Sequence, residues 1–436
     1  MMHVAIYDAV HSIGCEYNAR DLGIGCDAEP YLVKVDVRDD REPFSQTAID
    51  YAAVTVLRSV FPTLDFDDDL AAAQQGRNPT WQGEIEATRV GTVAAQAMID
   101  ARSGDGSTNN TAYTPGTNAG DWRPTGTGSA ATPNWGLVTP FAMTSGSQFR
   151  PQLPGGFSTM EELLESELYA EQVNEVQELG QENSSTRTAE QTEIAWFWAN
   201  DLNGTYKPPG QHFAHTQIVA RQQNVGEYRN ARLFALVAIS MADAGIAAWD
   251  AKYQTPIDLW RPETAIQLAG TDGNPATTAD PGWKPLSADL NGNSYSPAFP
   301  AYVSGHATFG AAWAGAMRNY FGTDNITFTA TTEDPHAEGV TRTFTSFSAA
   351  AQEDARSRIY LGVHYQFDAD QGLATGTALA DYAAANRLIA APEFDYFGSF
   401  TYEEDCQADG EAKVATGDYY EFYCYGYIGD WVLYIR

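Results

Sequence analysis

The sequence predicts a mainly α protein that ends in a small β-rich appendage. Three observations carry that prediction. Apolar residues, many of them alanine, recur at helical spacing through most of the 436 residues, and the periodic runs close on Gly, Pro or Asn. Long polar loops separate the runs. Residues 103–136, SGDGSTNNTAYTPGTNAGDWRPTGTGSAATPNWG, form turns and are poor in apolar side chains. After residue 390 the chain turns rich in Tyr, Phe and acids, and YYEFYCYGYIGDWVLYI reads as strand material.

The chain opens on MMHVAIYDAVHSIG, where Ala5, Ile6, Ala9 and Val10 share a helical stripe. This helix starts abruptly, with no basic signal-peptide region before it, so further sequence is expected upstream. Helices follow over 48–61, 81–101, 160–179, 189–199, 227–249, 304–321, 347–360 and 369–388. Together they predict an all-α body over 1–390, with a bundle from about 188 to 390, and a β-like appendage over 391–436. No repeat at solenoid period is present.

Net charge is −32 and the sequence pI is near 4.3. Such a surface repels nucleic acid and anionic membranes, so neither is an expected partner. No apolar stretch reads as the roughly 18 residues of a membrane span. The four cysteines form two close pairs, Cys15/Cys26 and Cys406/Cys424, neither with CxxC spacing. Two local disulfides in an exported protein and four free thiols both stay open.

In an acidic chain, local cations need a reason. Lys252 and Arg261 lie in WDAKYQTPIDLWRPETAI, Arg358 and His364 in SRIYLGVHYQFD, and His306 in PAFPAYVSGHATFG. Ser304 is a natural N-cap, and Gly305 lets the backbone come close to a bound group. The free N–H groups of that first turn favour an anion. His306 at that end can exchange a proton with it. Gly362 and Val363 end the preceding helix near Tyr360, so His364 enters from a turn. Asp368 can then accept its second imidazole N–H. Two arginines, a lysine and a helix N-terminus make a cage for a tetrahedral oxyanion.

Lys…Arg-Pro, Ser-Gly-His and Ser-Arg-x5-His-x3-Asp, in that order, resemble the three-part signature of the vanadium-dependent haloperoxidase and type 2 phosphatidic acid phosphatase superfamily. The resemblance runs from about residue 188 to 388. RTAEQTEIAWFWANDLNGTYKPPGQ and MMHVAIYDAV are similar to the haloperoxidase branch. The resemblance implies a helical bundle of that type and bound vanadate. Lys252, Arg261 and Arg358 would take its equatorial oxygens, and Ser304 and the Gly305 amide would add hydrogen bonds. His364 would be the metal ligand, with Asp368 behind it, and His306 the acid–base group. Trp249 and Phe299 match the halide-pocket walls of fungal chloroperoxidase, and Asp201 is the expected partner of Arg358. Implied partners are hydrogen peroxide, a halide and a small organic acceptor, and family habit points to a secreted or periplasmic location. A homodimer stays open. The Lys252–Arg261 spacing is nine residues where the family has seven, and Val303 replaces the usual proline before Ser-Gly-His.

The same cage would serve a soluble acid phosphatase, with His364 as nucleophile and His306 protonating the leaving group. A displaced lysine would also suit a non-catalytic anion-binding relative. Elsewhere, DLNGNSY at 289–295 resembles part of a calcium loop but lacks the closing acid, so a Ca2+ site and a plain turn both stay open. His212 and His215 read as structural residues on a helix, and His336 as a loop residue.

Overall fold

A computed structural model of the chain describes residues 1–17, 26, 28–38, 44–126, 128–391, 394–427 and 430–436. The chain divides into two compact units: Met1–Ser103, Gly226–Ala235 and Arg387–Arg436 form the first, and Gly104–Val225 with Leu236–Asn386 the second. Toward the C-terminus the chain divides between Asn386 and Arg387. Its last residues belong with its first hundred.

In the first unit, α1 (Met2–Tyr17), α2 (Ser45–Val60) and α4 (Gln82–Ala101) pack on one another, with a short α3 (Asp67–Ala73) between the last two in sequence. Asp8 on α1 is buried, and its carboxylate accepts the backbone N–H groups of Tyr31, Leu32 and Val33 at 2.7, 3.0 and 3.1 Å. The C-terminal part is not purely β. Strands β3 (Asp395–Phe400), β4 (Phe422–Tyr427) and β5 (Asp430–Ile435) form an antiparallel sheet in the order β3-β5-β4, and α14 (Glu403–Ala415) packs against β4. The helix escaped notice because the residues it buries are Cys406 and Gly410, too small to mark an apolar stripe. Both cysteine pairs are disulfides, Cys15–Cys26 and Cys406–Cys424.

The second unit holds α5 (Met160–Leu164), α6 (Glu167–Leu179), α7 (Ala189–Phe197), α8 (Lys207–Gln222), most of α9 (Glu227–Tyr253), α10 (Pro262–Gln267), α11 (Gly305–Phe321), α12 (Phe347–Tyr360) and α13 (Gln366–Asn386). Local chemistry sets the boundaries. Ser166 caps α6 by accepting the Tyr169 N–H, which splits the single helix expected over 160–179. Thr188 and Gln191 form a capping box on α7. A hairpin of β1 (Phe328–Thr331) and β2 (Thr341–Phe344), each four residues long, is too short to register in the sequence. α11 and α13 are packed closely because glycines face the partner backbone. A Cβ on Gly376 would collide with the Thr308 carbonyl.

α9 corrects one expectation. An 18-residue window with mean hydropathy 1.6 makes it long and apolar enough to cross a membrane, but 78% of that window is buried within the protein. Its apolar surface is core surface. Asp243 on this helix accepts the N–H groups of Phe141, Ala142 and Met143 at 2.6, 2.7 and 2.7 Å. Removing the carboxylate strands three donors in a buried place. Asp243→Ala is therefore expected to cost about 3 kcal/mol, read as a lower urea midpoint with an unchanged m-value.

Candidate active site

Three separated segments of the second unit meet around the buried side chains of Lys252, Arg261, Arg358, His364 and Asp368. The first is the end of α9. Lys252 lies in its last turn, and the helix closes when Thr255 Oγ1 donates to the Ala251 carbonyl at 2.7 Å and accepts the Ile257 N–H at 3.1 Å. Arg261 then occupies the position before α10, with Pro262 at the helix's first position. Lys252 and Arg261 are both fully buried, and both cations lie over the Phe299 ring.

The second segment is the non-helical run before α11. Its carbonyls hold the cations: Lys252 Nζ donates to Pro300 O at 2.7 Å and Ala301 O at 3.0 Å, and Arg261 Nε to Phe299 O at 2.7 Å. The Tyr302–Val303 peptide is cis. Ser304 caps α11 by accepting the Ala307 N–H at 3.4 Å, and its own N–H donates to the Asp368 carbonyl at 3.0 Å. Gly305 and His306 therefore open the helix, with the dipole's positive end toward the cations' neighbourhood.

The third segment is the end of α12. Gly362 takes a left-handed φ of 82°, which turns the chain sharply after Tyr360. The Val363 carbonyl and His364 Nε2 then both face Arg261 Nη1, at 2.7 and 3.0 Å. His364 Nδ1 lies 2.9 Å from Asp368 Oδ2, which also accepts the Tyr365 N–H at 3.1 Å. A proton on Nδ1 satisfies the carboxylate and leaves the Nε2 lone pair directed at Arg261. Arg358 Nη2 donates to Asp201 Oδ2 at 2.8 Å.

The sequence-derived residues thus fall into one place. Phe299 lies beneath the Arg261 guanidinium at 4.6 Å and the Lys252 ammonium at 5.0 Å, and 5.0 Å from the Trp249 ring. His306 is buried, with Nε2 3.2 Å from the Ala199 carbonyl and 4.0 Å from Asp201 Oδ1.

The electrostatics follow from burial of like charges. Desolvation and the charge of Arg261 hold Lys252 well below the usual lysine range. Burial brings Arg261 down to about 9 and pushes Asp368 up to about 7. Burial, then Arg261, Lys252 and Arg358, depress His364, so its imidazole is neutral and fit to coordinate. Burial and Arg358 also lower His306. Burial pushes Asp201 up, but Arg358 and His306 outweigh it and hold the carboxyl below its ordinary value.

An anionic guest fits this arrangement. Arg261 Nη2 and Arg358 Nε and Nη1 are buried without a hydrogen-bond partner. Lys252, Arg261 and Arg358 outnumber the carboxylates Asp201 and Asp368 that face them. Three stranded donors and one excess buried positive charge suit a tetrahedral oxyanion.

Sequence reading missed the loop over the aromatic pair. The Ala131 carbonyl accepts Trp249 Nε1 and the Tyr253 hydroxyl, each at 3.2 Å. It sits in the polar stretch taken as a spacer, and a backbone carbonyl leaves no mark in a sequence. The 289–295 stretch is a turn closed on itself, in which Asp289 accepts the Asn291 and Asn293 N–H groups and Asn293 Nδ2 at 2.8, 2.9 and 3.0 Å. Of the other histidines, His215 Nε2 meets the Thr331 carbonyl at 3.0 Å, and His336 stacks on Trp196 beside Asp334. Among the described residues, the one group of metal-ligating side chains in reach of a common ion is His11, Cys15 and Cys26, and its two sulfurs are already joined.

Comparison with known proteins bears on the fold around this site. Residues 232–390 match the family model described as the VCPO second helical-bundle domain. Over 289 residues, 54% of this chain, the sequence is 32% identical to the vanadium chloroperoxidase of Curvularia inaequalis, and the match spans 46% of that protein, about half its length. Among solved structures, the first bacterial vanadium-dependent iodoperoxidase superposes with a TM-score of 0.67 at 23% identity, covering 90% of this chain and 92% of that one. A holo-type bacterial vanadium-dependent chloroperoxidase gives 0.64 at 18% identity, covering 88% and 89%.

Proposed function

We propose that this chain, which has the fold and the second helical-bundle domain of the vanadium haloperoxidases, binds vanadate and oxidises a halide with hydrogen peroxide. The observation that carries the reading is the set of buried, unpartnered guanidinium N–H groups of Arg261 and Arg358 beside a neutral imidazole, His364, whose Nε2 lies against the other Arg261 nitrogen. His364 Nε2 would bond the metal. Arg261, Arg358, Lys252, the Ser304 hydroxyl and the Gly305 amide would take its oxygens. When bound, vanadate supplies a Lewis acid that activates peroxide without changing oxidation state.

The chain's own residues set the rest. With Nε2–H donating to the Ala199 carbonyl, His306 keeps its Nδ1 lone pair to accept a proton from incoming peroxide. Its lowered pKa keeps that site free at neutral pH. Asp368 holds the His364 proton on Nδ1 and so orients Nε2. Trp249 and Phe299 give the cations an apolar wall, a surface on which a large, weakly hydrated halide is easily desolvated. The two disulfides support an oxidising, exported location.

The test is direct. The protein is dialysed against chelator, then given orthovanadate, peroxide and bromide or chloride with a phenolic halogen acceptor. Halogenation that requires vanadate is the expected result. Phosphatase turnover inhibited by vanadate would assign the cage to phosphoryl transfer, and absence of both activities would leave an anion-binding relative.

A further inference from the structure

Outside the cage, the polar loop of the second unit encloses a cavity of about 320 Å3 between residues 106–113 and 129–135. That volume is at the small end of the range for small-molecule sites. Tyr113 and Trp135 supply its rings, and Ser107, Asn110, Ser129 and Thr132 are among its polar side chains. None of the described lining residues carries a charge, although the chain holds 57 acids and 25 lysines and arginines. A charged guest would find no opposite charge there. A neutral molecule with a ring and a hydroxyl or N–H finds a partner for each part.

The two stretches are tied to each other and to α9. Asn134 Nδ2 donates to the Asn109 and Thr111 carbonyls at 3.3 and 2.7 Å, and the Thr139 N–H to the Asp105 carbonyl at 2.8 Å. Gln254 Nε2 donates to the Pro133 carbonyl at 3.2 Å. Trp135 lies against Gly245 of α9, with Nε1 3.6 Å from where a Cβ would stand. The Tyr113 hydroxyl donates to Asp258, and its ring meets that of Tyr253 edge to face at 5.0 Å. Ala131 joins this cavity to the aromatic wall of the cage. Its neighbours Ala130 and Thr132 both line the cavity, while its carbonyl accepts Trp249 Nε1 and the Tyr253 hydroxyl. Its N–H donates at 2.8 Å to the carbonyl of Ala298, the residue before Phe299. Thr132 has a φ of 45°, a left-handed conformation that a β-branched residue keeps only where its surroundings hold it.

We propose that this cavity binds the organic halogen acceptor, a neutral aromatic that carries a hydroxyl or N–H, such as a phenol. The assignment to halogenation rests on the haloperoxidase reading; the binding itself does not. Hypohalous acid leaving the Trp249–Phe299 wall then meets a ring already held nearby. The oxygen–halogen bond breaks, a carbon–halogen bond forms, and the displaced ring proton leaves with the hydroxide as water.

The experiment is saturation-transfer NMR on the vanadate-free chain at neutral pH, with phenol as the probe and benzoate and benzylammonium as charged comparisons. Phenol should bind and the two ions should not. Trp135→Ala should weaken phenol by about tenfold, as loss of an aromatic partner does. Ser129→Tyr, which fills the cavity from an exposed position, should abolish its binding. No phenol binding in the wild type, equal binding in both variants, or equal binding of the ions overturns the proposal. In the loaded enzyme, KM for phenol should rise in Ser129→Tyr with KM for bromide unmoved. The ratio of ortho- to para-bromophenol should shift in that variant to the ratio given by reagent hypobromous acid. A wild-type ratio already equal to the reagent's overturns the assignment to the acceptor. Phenol binding that both variants lose, in a chain whose wild type shows no halogenation, would keep the cavity as a binding site and remove the haloperoxidase reading instead.

Discussion

His364→Ala is expected to abolish stable vanadate binding. Removing the hydrogen-bond partner behind a metal ligand costs 10–100-fold in affinity, so removing the ligand itself should cost ~10²-fold or more. The local structure says why no neighbour can stand in. Among the described residues the other site imidazole, His306, opens a different helix and has Nε2 engaged with the Ala199 carbonyl. Arg261 and Lys252 are cations and offer no lone pair. Asp368→Asn is the graded control. An amide there still meets the imidazole but no longer stabilises the Nδ1–H tautomer, and affinity should fall by ~10–100-fold. Calorimetric titration with orthovanadate reads both. Wild-type affinity in His364→Ala would remove this residue from the site. Phosphate gives the contrast: it uses the guanidiniums but no metal–nitrogen bond, so its binding to His364→Ala should weaken much less.

That contrast also separates what the sequence could show from what it could not. The cage was legible because each member is a residue type with little other reason to be buried: a lysine and two arginines in an acidic chain, and a histidine after a capping serine. Their meeting follows from three helix ends, and helix ends carry marks: Ser304, Pro262 and Gly362. The helical body was legible because 3.6-residue apolar periodicity survives in α2 and α4 and α9 is a long apolar run. What stayed hidden carries no side-chain signal. The carbonyls of Pro300, Ala301 and Phe299 that hold the cations are available at any residue, as is that of Ala131 over Trp249. The helix within the C-terminal sheet buries small residues, and the division into units depends on contacts between segments hundreds of positions apart.

Arg358→Ala should produce the second large effect, with a signature in pH. Two of its N–H groups are buried and unpartnered, and a third holds Asp201. Charge-assisted hydrogen bonds contribute about 1.5–3 kcal/mol each, so losing two from a bound oxyanion should weaken phosphate or vanadate by ~10²-fold or more. Arg358→Lys should recover little, because a point charge cannot supply the fork. The anion-free protein is affected too. Arg358 and His306 now hold the Asp201 carboxyl below its ordinary value against burial. A carboxyl lowered in this way contributes stability that is present above its unfolded pKa, near 4, and is lost as pH falls through the lower folded value. Without Arg358 burial prevails and the folded pKa rises. The sign then reverses: stability falls as pH rises through the raised value. Asp201 keeps 24% of its side-chain surface exposed, so solvent limits the loss to about 1–3 kcal/mol at neutral pH. Urea midpoints of Arg358→Ala should therefore approach wild type as pH is lowered from 7 toward 5, and Arg358→Ala with Asp201→Asn should remove both the deficit and its pH dependence. A deficit that stays constant with pH, or survives in the double variant, would show that the Asp201 carboxylate is not what Arg358 holds in place.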